Sequence, residues 1–227
     1  MSPNGEAFDP SLIIFAALAV FVLWKLRSVL GVRVDRDEAP PAQQFQPRGT
    51  APSSAAFVAT NAPPQEREDR WRGVVEPNSG AEAGLEAILR VDPRFDAVGF
   101  LGGARRAYEM IVAAFAKGDR ETLQPLLSKE VFDGFNAEIA RREEKGETLE
   151  TAVVAIDSAT IDSARTLPKR NEIAVRFATR LMQVRRDRNG EMLEDGRTTP
   201  VVESWTFARD PGASDPNWKL VATRAVE

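Results

Sequence analysis

The chain has 227 residues, 43% hydrophobic and 28% charged, with Lys+Arg 30 against Asp+Glu 34 and a formal net charge of -4. That acidic balance excludes a whole-molecule electrostatic grip on nucleic acid. With Cys 0 and His 0 there are no disulfides, no thiolate or imidazole metal ligands, no cysteine nucleophiles and no Ser-His-Asp triad. No cofactor is expected, and any chemistry would rest on carboxylates, Lys, Arg, Ser, Thr and the single tyrosine, Tyr108.

Residues 1–11 form a short flank with Glu6 and Asp9 and no basic side chain. Leu12–Trp24 is apolar and uncharged, Lys25 and Arg27 interrupt it, and Val29 and Leu30 resume it. As a helix, residues 12–30 would extend about 28 Å, close to the ~30 Å hydrocarbon core of a bilayer. Asp9-Pro10 is a good helix start, Trp24 suits the interface, and Lys25 and Arg27 can snorkel to the headgroups. A cleaved signal peptide would want a basic stretch before the run, and a buried core helix would not be followed by a polar tether. A single transmembrane anchor over 12–30 is the expectation. Lys25, Arg27, Arg33 and Arg36 follow the run and no basic side chain precedes it. The positive-inside rule then puts the N-terminus out and the C-terminal part in the cytoplasm, a periplasmic placement being the alternative.

Residues 31–82 read as a flexible, disordered linker rich in Pro and Ala, with isolated apolar residues and no sustained period. Trp71, in the mixed-charge cluster EREDRWR, belongs either to this solvated linker or to a short partner-docking motif.

Residues 83–227 carry the periodic patterns of a folded domain. Leu85, Ile88 and Leu89 begin a short amphipathic helix. Asp92-Pro93 reads as the start of a long helix with Phe95, Val98, Leu101, Tyr108, Ile111 and Phe115 at helical spacing. Gly118-Asp119 ends it and caps a short element containing Pro125. Ser128 caps a further helix that stops at Gly146. The period then changes to two. Strands are expected over Thr148–Asp162, with a bulge, over Glu172–Val184, over Pro200–Arg209 and over Asn217–Val226, with a hairpin turn at Asn189-Gly190. Ile173, Val175, Phe177 and Leu181 share one face, as do Val201, Trp205 and Phe207, and Trp218, Leu220 and Ala222. Helices followed by antiparallel strands make an α+β fold with helices packed on one face of a curved sheet.

The segment DPRFDAVGFLGGARRAYEMIVAAFAKGDRETLQPLLS, the VRF of Val175–Phe177, WTFARD and DPNWKLVAT resemble the C-terminal domain of subunit forty-four of the mitochondrial inner-membrane translocase, the import-motor anchor. TimA-type bacterial adaptors share that domain behind an N-terminal membrane segment. The resemblance covers roughly residues 83–227. It implies the cone fold of nuclear transport factor two, attachment to the inner membrane, and a scaffold role rather than catalysis. The long charged N-terminal region of the mitochondrial protein is replaced here by an apolar run and a Pro-rich tether, so that region's partners do not carry over.

Several candidate sites follow. Leu85, Ile88, Leu89 and Phe95 lie in a segment with more apolar groups than one short helix can hide, so they pack on their own domain, on a partner or on the bilayer. The resemblance points to the last two. Arg176, Arg180, Arg185 and Arg186 could face anionic lipid headgroups or an acidic partner, or form a solvated sheet face. Tyr108, Trp205, Phe207 and Trp218 are candidate pocket-lining residues. Tyr108, Asp157, Asp162 and Glu203 are the conceivable acid–base groups of a cone-fold enzyme, each more simply a structural or solvent-facing group. Gly99, Gly102 and Gly103 lack the context of a phosphate loop and read as close helix packing or a kink. The expected function is an adaptor at the inner membrane, in protein translocation or envelope homeostasis. Its expected partners are the membrane, anionic lipid and an unidentified protein, with no nucleic acid. The alternative is a tethered domain that binds or transforms a small apolar ligand.

Overall fold

The computed structural model describes residues 70–213, 215 and 217–226. The apolar run at 12–30 and most of the linker lie outside the described residues. No helix among the described residues is long and apolar enough to cross a membrane.

The folded domain starts earlier than the composition implies. Trp71, Val74 and Val75 are all buried in the main hydrophobic core. Val75 forms a parallel bridge with Ile161, through Ile161 N–H to Val74 O and Glu76 N–H to Ile161 O, both 2.8 Å. Thr160 Oγ1 donates to the Glu76 carboxylate beside it. The assignment of Trp71 to a solvated linker or a free docking motif is therefore corrected: its ring fills the core. Trp71, Val74 and Val75, with Arg72 and Gly73 between the first two, are too few to show either period, which is why the pattern reads as linker.

Helix α1 spans Ala81–Val91 and buries Ala81, Leu85 and Ile88. It lies so close to the sheet that a Cβ on Gly84 would stand 1.8 Å from the Ala164 carbonyl oxygen. Helix α2 spans Ala97–Lys117, with the Asp96 side chain accepting from Val98 N–H. Asp92 is instead the C-cap of α1, and its carboxylate is held by Arg209. The helix start thus sits at Asp96, four residues beyond the Asp-Pro pair. Gly118 closes α2 at φ 71°. Asp119 then caps α3, Arg120–Leu126, which contains Pro125. Ser128 caps α4, Lys129–Lys145, which ends at Gly146 with φ 70°.

Four antiparallel strands follow in the order β1-β2-β3-β4. They are β1 Thr148–Thr166, β2 Asn171–Arg186, β3 Met192–Arg209 and β4 Lys219–Ala225. The expected α+β arrangement, helices packed on an antiparallel sheet, is what the structure shows. Register shifts at Val153/Ala155, Ile156/Ser158 and Ile161/Ser163 bend β1. β3 begins eight residues before Pro200 and runs through it. The first β3–β4 pair is Glu203↔Ala225, so the Pro200 stretch has an open edge where a missing N–H is tolerated. In β4 the inward set is Leu220 and Thr223, not Leu220 and Ala222. The register shift opposite Thr206/Phe207 inserts Val221 and moves the alternation by one.

Candidate functional site

Two features stand out where α2 crosses the sheet: a surface cleft and a polar pair in the interior behind it.

The cleft is about 480 Å³ and runs along the first half of α2 beside the β3–β4 end of the sheet. Its floor is Gly99, Gly103 and Ala107, one turn apart on α2. A Cβ on Gly103 would meet nothing within 4 Å. The expected close packing is thus absent at Gly103, and the bare helix backbone faces the cleft instead. Aromatic rings form the walls. Trp218 lies edge-on to Phe100 with centroids 4.9 Å apart and to Phe95 at 6.0 Å, and Phe100 meets Phe207 at 6.0 Å. Arg94, Arg106, Arg209, Asp96 and Asn217 supply the polar lining. Arg209 is bound to Asp92 and lies 5.1 Å over the Trp218 ring. Arg94 and Arg106 are exposed and make no ion pair among the described residues.

Behind the cleft, alternation on β2 and β3 turns Phe177, Thr179, Glu203 and Trp205 toward α2, with Phe177↔Glu203 and Thr179↔Val201 as register partners. Tyr108, fully buried, places its hydroxyl 2.6 Å from Glu203 Oε1 and 3.1 Å from Thr179 Oγ1. Its ring sits 4.6 Å from Trp205 and 4.7 Å from Phe177. Burial pushes the Glu203 carboxyl above its ordinary value, against the pull of the Tyr108 hydrogen bond and the nearby Trp205 indole. The Trp205 Nε1 has no hydrogen-bond partner of full geometry among the described residues. Burial, and then the Glu203 charge, push the Tyr108 phenol far above its usual range. Chemically the pair is a carboxyl held in an apolar surround by a phenol that does not ionise near neutrality. Among the described residues no group of acidic side chains converges to hold a metal ion.

The residues nominated from sequence separate clearly. Phe207 and Trp218 line the cleft and Phe95 forms part of its wall. Tyr108 and Trp205 pack in the interior rather than on the cleft surface. Leu85 and Ile88 are fully buried in their own domain, and Leu89 packs against the same core. The membrane or partner contact expected of these three α1 residues is corrected: β1 occupies the apolar face of the helix. Arg180 pairs with Asp157 at 3.0 Å, Arg186 with Glu150 at 3.3 Å, and Arg185 with Glu147. Arg176 makes no ion pair among the described residues. Asp162 faces Arg224 at 3.6 Å, so Asp157 and Asp162 sit in surface ion pairs and not in a pocket. Arg94 and Arg106 were not nominated. Their only signal was a place on the charged side of an amphipathic helix, which is where solvated arginines also sit.

Residues 81–225 match the family model described as the Tim44-like domain. The chain belongs to the Tim44-like domain family. Over 137 residues it is 27% identical to mitochondrial import inner membrane translocase subunit TIM44-1 of Arabidopsis thaliana, covering 57% of this chain and 29% of that protein. The chain therefore spans less than a third of the curated relative it matches. Among solved structures, the intermembrane space region of the chloroplast protein ARC6 aligns at 13% identity over 59% of this chain and 98% of that one, with a TM-score of 0.44. An NTF2-like family protein from Streptomyces avermitilis aligns at 14% identity over 56% and 96%, with a TM-score of 0.32. With TM-scores below 0.5, neither fixes the fold or the role of this chain. The cleft, its glycine floor and the Tyr108–Glu203 pair all fall inside the matched Tim44-like domain.

Proposed function

We propose that this chain is a membrane-attached adaptor whose Tim44-like domain binds a protein partner at the inner membrane. The supporting observation is the Tim44-like match over residues 81–225 downstream of the uncharged apolar run at 12–24. In this reading residues 12–30 anchor the chain, the domain lies on the cytoplasmic side, and the process served is protein translocation or envelope homeostasis. Anionic lipid is a second contact at the membrane plane. The role is binding, not catalysis: the nominated aspartates sit in surface ion pairs.

Carbonate extraction of native membranes, followed by crosslinking and mass spectrometry, tests this. The chain should stay in the pellet and crosslink reproducibly to one partner through the domain. Release into the supernatant would overturn the anchor, and a phosphatase fusion after residue 226 that is active only in the periplasm would overturn the orientation.

A second reading, a tethered domain for a small apolar ligand, draws on the buried Glu203–Tyr108 pair, since a carboxyl with a raised pKa beside a phenol is a combination used in proton transfer. Titrating small apolar ketones while following tryptophan fluorescence separates the two readings. A saturable change abolished by Glu203→Gln would favour the ligand-binding one.

A further inference from the structure

We infer that the cleft on α2 docks an acidic, apolar peptide segment of a partner protein. The inference rests on the adaptor reading above and names the chemistry of what the adaptor captures.

Charge is the first argument. From Asp92 onward the sequence carries 21 basic and 23 acidic residues, so the domain has no general positive field. Most arginines elsewhere are matched, Arg141 by Glu138, Arg180 by Asp157 and Arg186 by Glu150. Arg94 and Arg106 stand exposed at the mouth of an aromatic cleft with no ion pair among the described residues. Two guanidiniums without an ion pair, set against the single Asp96 carboxylate in the lining and beside edge-on rings, complement carboxylates that alternate with apolar side chains.

The floor is the second argument. With no side chain on Gly103 and nothing within 4 Å of where one would stand, an incoming main chain can lie directly on the α2 backbone there. The Asp96 carboxylate and the Asn217 amide line the same cleft. They offer an acceptor and a donor suited to peptide N–H and C=O groups. A lipid chain has no N–H for Asp96 to accept. The lining therefore favours a peptide over a lipid.

The test uses the full-length protein in detergent micelles and fluorescence anisotropy. One probe is a pool of fluorescein-labelled hexapeptides drawn from Asp, Glu, Leu and Phe; the control pool has Lys and Arg in place of Asp and Glu. The acidic pool should bind about tenfold more tightly than the basic one, with affinity falling as salt rises. Arg94→Glu with Arg106→Glu should weaken it about tenfold or more. Gly103→Leu should block it without lowering the melting temperature, because no atom stands near the added Cβ. Should Gly103→Leu disturb folding, the exposed arginine pair decides alone. Equal binding of the two pools, or no loss in the double arginine variant, overturns the proposal. Vesicles of anionic phosphatidylglycerol form the last arm. Vesicle binding that depends on Arg94 and Arg106, with no binding of the acidic pool, overturns it in favour of a lipid site. Failure of the peptide arm leaves membrane attachment standing, because extraction tests that separately.

Discussion

The Tyr108 hydroxyl donates a 2.6 Å hydrogen bond to Glu203 Oε1, tying α2 to β3 across 95 residues of sequence. Thr179 Oγ1 lies 3.1 Å from the same hydroxyl, so one phenol joins a helix and two strands. Tyr108→Phe keeps the ring and removes the link, leaving a buried carboxyl without its donor. It should cost about 1–3 kcal/mol in urea unfolding, with a native circular dichroism spectrum.

The carboxyl in this pair makes stability depend on pH. Burial raises the folded-state pKa of Glu203 above its ordinary 4.5. Between that value and the raised one, the folded protein binds more protons than the unfolded chain, so stability falls as pH rises. Glu203→Gln keeps an acceptor for Tyr108 and loses the titration. Relative to Glu203→Gln, the wild type should be most stable at acidic pH and should lose ground as pH rises toward neutrality. Paired denaturation curves at several pH values measure this. A constant difference would mean that the site does not titrate in that window.

Gly84 is a contact position. In an exposed helix Gly→Ala stabilises by roughly 1 kcal/mol, but here the new methyl would meet the Ala164 carbonyl at 1.8 Å. Gly84→Ala should push α1 off β1 and lower stability by about 1–3 kcal/mol. A rise in melting temperature would show that the helix slides without cost.

The two C-terminal tryptophans should differ. Trp205 is buried against Tyr108 and Phe177, so Trp205→Ala should cost about 3–5 kcal/mol. Trp218 is only partly buried, at the cleft wall between Phe95, Phe100 and Arg209. Trp218→Ala should cost less than half as much in the same chemical denaturation assay.

Trp71 offers a test of where the domain begins. Its ring is in the core although it precedes the matched family segment. Trp71→Ala should destabilise the domain by about 2–4 kcal/mol. A fragment starting at Ala81 should melt well below one starting at Arg70.

Much of this fold was legible because local chemistry repeats. Ser128, Gly118-Asp119 and Gly146 cap the helices they were expected to cap, and each acts through a hydrogen bond or a positive φ fixed by a few neighbouring residues. The inward faces of Ile173–Leu181 and Val201–Phe207 were legible because each stretch keeps an unbroken period of two. Reading failed where long-range contacts override the local pattern. Asp92 looked like a helix cap but is held by Arg209, more than a hundred residues away. Ala222 lost its place to Thr223 through a bulge that depends on β3. Leu85 and Ile88 carry the same amphipathic pattern whether they meet a bilayer or a sheet, and only the close approach at Gly84 tells which. The cleft was half legible: Phe207 and Trp218 were named as pocket-lining, while Phe100, the floor and the arginines emerge only once α2 crosses the sheet.

The bridge between Val75 and Ile161 also sets the mechanics of the molecule. Load arriving from the N-terminal side of the chain enters through Trp71–Glu76 and is taken up at the β1 edge of the sheet. One wall of the cleft lies at the β3–β4 end, but its floor is α2. A load entering there is passed first to Ile161 on β1, and because α2 packs on that same strand, the helix that floors the cleft is the next element to feel it.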